Sequence, residues 1–256
     1  MKLTVLGSGS TVPHPRRTSS AYWLETSGGN LLLDCSATGA SRMAACSVDW
    51  PNLDAIWVSH FHMDHCGGLG PLLAGFKHAP QVKVRTKPLR VFGPAGLREL
   101  IDRLSDVSNY RLLEQSFPVE IIKIEELEKF NILPGVEAVA MKTLHTDESH
   151  AIHIRDWRTT LVYSADTGFD KRISAFARNV DLLILECTFI KNKPVEKHLE
   201  LAEAVYLIRQ AKPKRAMLTH FYPEWDNVNF NEEIANQSPA CEVIEAVDGL
   251  KLVISK

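Results

Sequence analysis

Apolar and polar positions fall into short runs along this chain. Leu3 to Leu6, Ala21 to Glu25 and Leu31 to Asp34 are apolar or alternating stretches separated by Gly-Ser and Gly-Gly-Asn, the pattern of strands joined by tight turns. Ala55 to Ser59 predicts a further strand, Gly67 to Phe76 an apolar helix, and Leu89 to Phe92 a strand. Pro94 to about Leu104 reads as an amphipathic helix opened by proline. A second series of strands is expected near Val119 to Ile124, Val136 to Leu144, Ala151 to Ile154 and Thr160 to Ser164, then a helix near Lys171 to Ala177. Strand Leu182 to Glu186, helix His198 to Gln210, strand Ala216 to Thr219, and strands near Glu242 to Ala246 and Lys251 to Ile254 close the chain. Strands come first and helices then alternate with them, which places the chain in the α/β class.

Composition narrows this little. With 256 residues, 45% apolar and 23% charged, the expectation is one domain over residues 1–256, with no linker or internal repeat. The 29 basic and 31 acidic residues leave a formal charge of -2, so no global positive field draws the protein to nucleic acid or to an anionic membrane. Five widely spaced cysteines without a Cys-x-x-Cys pair argue against a disulfide framework. With no apolar stretch of signal-peptide or membrane-spanning length, a cytoplasmic, membrane-free protein is expected.

The chemistry concentrates in Ser59-His60-Phe61-His62-Met63-Asp64-His65-Cys66-Gly67-Gly68, a His-x-His-x-Asp-His run between an apolar strand and a glycine-led helix. Imidazole and carboxylate are the ligands that borderline divalent metals such as zinc prefer. Alternate residues of an extended loop point the same way, so His60 and His62 can share one ion while Asp64 and His65, where the loop turns, address another. His145, Asp166 and His220 stand at the ends of predicted strands, where open α/β sheets place their chemistry, and Asp166 can bridge two ions. The expected cofactor is a pair of divalent ions, zinc first, with manganese and iron as alternatives. Asp64 is then both ligand and catalytic residue, orienting the attacking water.

This order of motifs resembles the metallo-β-lactamase superfamily over nearly the whole chain, and within it the ribonuclease Z-like phosphodiesterases. Val5-Leu-Gly-Ser-Gly-Ser, Arg16-Arg-Thr-Ser-Ser, Leu31-Leu-Leu-Asp-Cys and Leu182-Leu-Ile-Leu-Glu-Cys-Thr-Phe carry that closer likeness. The resemblance implies an αββα sandwich of two mixed sheets with the metals at one edge. It also implies an additional histidine before the last ligand strand, matched here by His198, as a donor to the scissile phosphate or the leaving oxygen. Glu186, at the preceding strand end, is then placed to orient it. The tRNA-processing members resemble one another in a long arm between the third and fourth metal motifs. Here His145 and Asp166 are 21 positions apart, so tRNA is not the expected partner and a small or cyclic phosphodiester is. Armless relatives tend to pair, so a homodimer is expected. Ribonuclease Z-type cleavage and ester, lactone or thioester hydrolysis are the rival activities.

Weaker signals are open to plainer readings. Gly7-Ser-Gly-Ser lacks the third glycine of a dinucleotide loop, and Pro13 and Pro15 prevent the helix such a loop opens. Arg16 and Arg17 suit a phosphate or a solvated surface. Tyr222 and Trp225 suit base stacking or core packing. Cys66 is a remote candidate ligand, and His150 a remote cleft residue.

Overall fold

The computed structural model describes residues 1–255. Its first half holds β1 (Lys2–Gly7), β2 (Ala21–Thr26), β3 (Gly29–Leu33), α1 (Gly39–Ala45), β4 (Leu53–Trp57), α2 (Met63–Cys66), α3 (Leu69–His78), β5 (Leu89–Gly93), α4 (Leu97–Asp106) and β6 (Val119–Lys123). The second half holds β7 (Lys129–Leu133), β8 (Val136–Lys142), β9 (His150–Asp156), β10 (Thr159–Tyr163), α5 (Lys171–Phe176), β11 (Leu182–Glu186), α6 (Leu201–Ala211), β12 (Arg215–Thr219), α7 (Phe230–Asn236), β13 (Glu242–Glu245) and β14 (Lys251–Val253). The strands form two seven-stranded mixed sheets, ordered β14-β1-β2-β3-β4-β5-β6 and β13-β12-β11-β10-β9-β8-β7.

Alternation along the strands explains the layering. Tyr22, Leu24, Leu31 and Leu33 turn inward against Ile152, Ile154 and Leu161 of the facing sheet. Trp23 and Leu32 turn outward into a second apolar cluster with Met43, Leu69, Leu73 and Ile101, under α1, α3 and α4. Strands buried on both faces read as unbroken apolar runs, which is why Leu31-Leu32-Leu33 and Leu182 to Leu185 carry no alternation. Ile173, Leu201 and Val205 bring α5 and α6 onto the outer side of the second sheet. The result is the αββα sandwich that the resemblance implies.

Several boundaries differ from the sequence reading. α1, β7 and α7 were not foreseen, because each is short and weakly patterned; β7 is an edge strand carrying Lys129 and Asn131. The helix expected from His198 begins at Leu201, where the Glu203 carboxylate accepts from the Glu200 amide (3.2 Å) and fixes the start. The helix expected over Gly67 to Phe76 is α3, and a short helix that was not foreseen, α2, precedes it within the expected ligand loop, the two divided at Gly67-Gly68. A Cβ on Gly68 would lie 2.1 Å from the Ser36 carbonyl oxygen, so only glycine lets α3 leave the loop this close to the backbone after β3. Gly68→Ala is accordingly expected to cost at least about 1–3 kcal/mol, read as a lowered Tm with wild-type secondary structure retained. No described helix is long and apolar enough to cross a membrane.

Candidate metal centre

β3-β4-β5 in one sheet and β10-β11-β12-β13 in the other run parallel, so their C-terminal ends share one edge of each sheet. The loops leaving β3, β4, β8, β10, β11 and β12, with Glu186 at the end of β11, supply the ligand cluster and its immediate partners. Three of them turn through residues in the left-handed region: Asp34 (φ 57), Ala165 (φ 50) and His220 (φ 63). Non-glycine residues held there are strained, and such strain collects at functional sites.

The loop after β4 is pinned by Asp34, whose carboxylate accepts from the Ser59 amide (2.8 Å) and the Ser59 hydroxyl (2.9 Å). His60 and His62 follow on extended backbone, and α2 begins at Met63, so Asp64 and His65 are swung by its first turn to a different side. Two groups result. His60, His62, His145 and Asp166 offer ligand atoms within 4.8 Å of one another, and so do Asp64, His65, Asp166 and His220. Asp166, 2% exposed, belongs to both. All seven ligand residues expected from the sequence therefore converge.

The fit to a cation can be tested on atoms left without partners. His65 Nε2 and Asp166 Oδ1 lie 3.2 Å apart yet neither makes a hydrogen bond, and His60 Nε2 is likewise buried and unpartnered. Meanwhile His65 Nδ1 is bonded to Asp34 Oδ2 (2.7 Å) and His145 Nδ1 to the Lys197 carbonyl (2.9 Å). An acceptor at Nδ1 fixes the proton there and leaves Nε2 as a lone pair. The remaining ring nitrogens crowd the same space: His145 Nε2 lies 3.0 Å from His62 Nδ1 and 3.6 Å from Asp166, and His220 Nε2 lies 3.4 Å from both Asp166 and Asp64. Lone pairs opposed to anions in a buried pocket call for a positive charge between them.

The ionisation of the groups agrees. Burial opposes charge on Asp166, but His220, His65 and His60 hold its carboxyl well below the usual carboxylate range. Burial and the neighbouring His65 push His60 well down, and burial pushes His145 down, so both are neutral ligands. Burial opposes charge on His65 as well, yet Asp166 and Asp34 raise it, drawing a proton to where a cation fits. Imidazoles and carboxylates in this number suit zinc, manganese or iron.

Beside the two groups stands a third, Glu186, His198 and His220. Glu186 is 1% exposed and accepts from His198 Nδ1 (2.8 Å), the Thr167 amide (2.8 Å) and the Leu199 amide (3.1 Å). Burial alone would lower His198, but its bond to Glu186 and that residue's charge raise it to about 9. Its ring lies nearly parallel to that of His220, centroids 5.3 Å apart, and 4.8 Å from that of His145.

Apart from Tyr222, which borders the site, the other candidates fall outside it. Arg17 is tied to Glu245 (2.8 Å) and lies over the Phe221 ring, while Arg16 pairs with Asp226 (2.8 Å); together with His14 they brace the loop after His220. Trp225 is core, its indole N–H donating to the Thr188 carbonyl. Tyr222 is half-buried against Phe189, whose ring also meets His198. Burial pushes the Cys66 thiol up to about 12, it donates to the Phe61 carbonyl, and it stands in neither ligand group. His150 is buried with Nδ1 on the Glu148 carbonyl. Gly7 and Gly9 pass close against the backbone of Thr18 and Ser19 rather than the ligand cluster. Asp34, Ser59 and Thr188 escaped the sequence reading as site residues; the only signals were the strand-end positions of Asp34 in Leu-Leu-Leu-Asp-Cys and of Thr188 in Glu-Cys-Thr-Phe.

Fold and site together define a metal-dependent hydrolase of the metallo-β-lactamase fold. The chain belongs to the family described as Anti-Pycsar protein Apyc1, whose model matches residues 1–238. It is 26% identical over 222 residues to the probable metallo-hydrolase YhfI of Bacillus subtilis, covering 86% of each chain. The crystal structure of that protein superposes with a TM-score of 0.81 over 98% of this chain and 99% of its own. The short form of human tRNase Z superposes at 0.80 with 22% identity over both whole chains. A diphosphatase of the PhnP family superposes at 0.75 with 22% identity, covering 99% of this chain and 98% of its own.

Proposed function

We propose that this protein is a dinuclear phosphodiesterase acting on a small or cyclic phosphodiester, a cyclic nucleotide foremost, with zinc as the preferred ion. The carrying observation is His198. A cationic donor held by Glu186 at the rim of the ligand cluster suits an anionic substrate and a departing alkoxide, and a neutral ester gains less from it. Membership in a cyclic-nucleotide-degrading family and the PhnP-family neighbour support the same substrate class. When bound, two divalent ions would supply an activated water nucleophile and neutralise charge on the phosphoryl oxygens.

The chain's own residues account for the rest. His60, His62, His145 and Asp166 would hold one ion, and Asp64, His65, Asp166 and His220 the other. Asp64 has a carboxyl held below its usual range by His220 and His65 against the effect of burial, so it remains an acceptor able to orient water. His198 carries its proton at neutral pH, and Nε2, turned from Glu186, is free to give it to the leaving oxygen. The half-buried Tyr222 ring, packed against the buried Phe189 that also meets His198, is where a base would stack. The stretch between His145 and Asp166 is the hairpin β9–β10, with no room for a tRNA-clamping arm at that place in the chain.

Tyr222 favours a second reading, hydrolysis of a lactone or thioester. Its phenol is pushed up by burial and by the Asp64 and Asp166 charges, and so remains a hydrogen-bond donor at neutral pH. A substrate panel separates the two. The metal-loaded protein is expected to turn over bis(p-nitrophenyl) phosphate and cyclic nucleotides and to leave a lactone, a thioester and a 3′-extended tRNA largely intact. Ester turnover without phosphodiester turnover would leave only the coarser hydrolase assignment.

A further inference from the structure

The buried imidazoles show a pattern that the seven ligand positions do not account for. Asp34 holds His65 directly, and it reaches His60 through Ser59, whose hydroxyl lies 2.9 Å from Asp34 Oδ2 and 2.9 Å from His60 Nδ1. On the other sheet, Glu186 holds His198 directly and reaches His220 through Thr188. That hydroxyl lies 2.8 Å from Glu186 Oε2 and 2.8 Å from His220 Nδ1. Each sheet thus contributes one buried carboxylate, one imidazole bonded to it, and one imidazole reached through a hydroxyl.

Proton counting makes this arrangement directional. A hydroxyl has one proton, and an ionised carboxylate only accepts. Ser59 therefore donates to Asp34, and Thr188 to Glu186, which leaves each hydroxyl oxygen as acceptor toward its histidine. The ring atom facing it must be an N–H. With the proton fixed on Nδ1, Nε2 of His60 and of His220 is left as a lone pair aimed into the cluster. His198 Nδ1 lies 3.3 Å from the Thr188 hydroxyl but closer to Glu186, so it does not compete for this role. The two hydroxyls serve different ions, because His60 stands in the group with His62 and His145, and His220 in the group with Asp64 and His65.

We propose that Ser59 and Thr188 are positioning residues, each setting the affinity of a different ion by holding one histidine in its metal-binding tautomer. This rests on the two-ion reading above. Partners of a ligating histidine typically contribute about 10–100-fold in metal affinity. Both residues also bond a carboxylate through the backbone, Ser59 N to Asp34 and Thr188 N to Glu186, so replacing the hydroxyl leaves the loop anchored.

The test is chelator competition on zinc-loaded wild type, Ser59→Ala, Thr188→Val and Thr188→Ser, with ion occupancy read by native mass spectrometry. Anomalous scattering from crystals of half-stripped protein places the ion that remains. Thr188→Val is expected to release the ion beside His220 about 10–100-fold more readily, Ser59→Ala the ion beside His60, and Thr188→Ser neither. Imidazole nitrogen spectra of the loaded wild type are expected to show N–H at Nδ1 of both histidines. Loss of the same ion in Ser59→Ala and Thr188→Val, wild-type retention of both ions in each, or a proton on Nε2 of His60 or His220 would overturn the proposal. Wild type taking up two ions while the variants behave like it refutes the relays alone; wild type taking up only one refutes the two-ion reading and the relays with it.

Discussion

Asp166→Ala is expected to empty both ion positions, whereas Asp64→Ala is expected to lose one. Asp166 is the only residue shared by the two ligand groups, and its carboxylate lies 3.2–3.8 Å from ring nitrogens of His60, His65, His145 and His220. Removing it leaves the first group with three imidazoles and no carboxylate, and the second with Asp64 as its one remaining carboxylate, so both positions lose their shared anchor. Metal analysis of the purified proteins checks this, with circular dichroism to show that each is folded. An Asp166→Ala protein that kept one full equivalent would show that the carboxylate serves a single ion.

His198→Ala is expected to leave both ions bound and to lower kcat by about 10²–10⁴-fold, the range for loss of a positioned proton donor. The loss should depend on the leaving group. p-Nitrophenolate departs without a proton and is expected to be affected least, while the ribose alkoxide of a cyclic nucleotide is expected to be affected most. The pH profile carries the sign. His198 is raised to about 9 by Glu186, so the donating form is present below that pH and lost as pH rises through it. Glu186→Gln removes the raising charge and is expected to move the alkaline limb to lower pH, toward the usual histidine value of about 6.5. An alkaline limb that does not move would detach Glu186 from this role.

The ligand set was legible in the sequence because metal ligands are constrained in type and spacing. His60 to His65 announce themselves as a cluster, and His145, Asp166 and His220 each follow an apolar strand. The shell behind them was much less legible. Asp34, Ser59 and Thr188 are ordinary polar residues at strand ends, and what makes them part of the centre is a set of contacts across 25 to 32 positions of sequence. The left-handed turns at Asp34 and His220 are equally silent, since no glycine marks them. For Arg16 and Arg17 the sequence left a phosphate contact and a solvated surface both open, because their pairing with Asp226 and Glu245 depends on residues more than 200 positions away. Among the elements, strands buried on both faces were found readily, while β7 and α7 are short pieces whose stability comes from what they pack against.

The most direct test of the central claim is hydrolysis of a 3′,5′-cyclic nucleotide by chelator-stripped protein before and after zinc is restored, followed by phosphorus NMR. The account predicts no turnover without metal, and after reloading a single phosphomonoester product whose formation is lost in Asp166→Ala. Turnover that survives complete removal of metal, or fully zinc-loaded protein that leaves cyclic nucleotides and bis(p-nitrophenyl) phosphate intact, would contradict it.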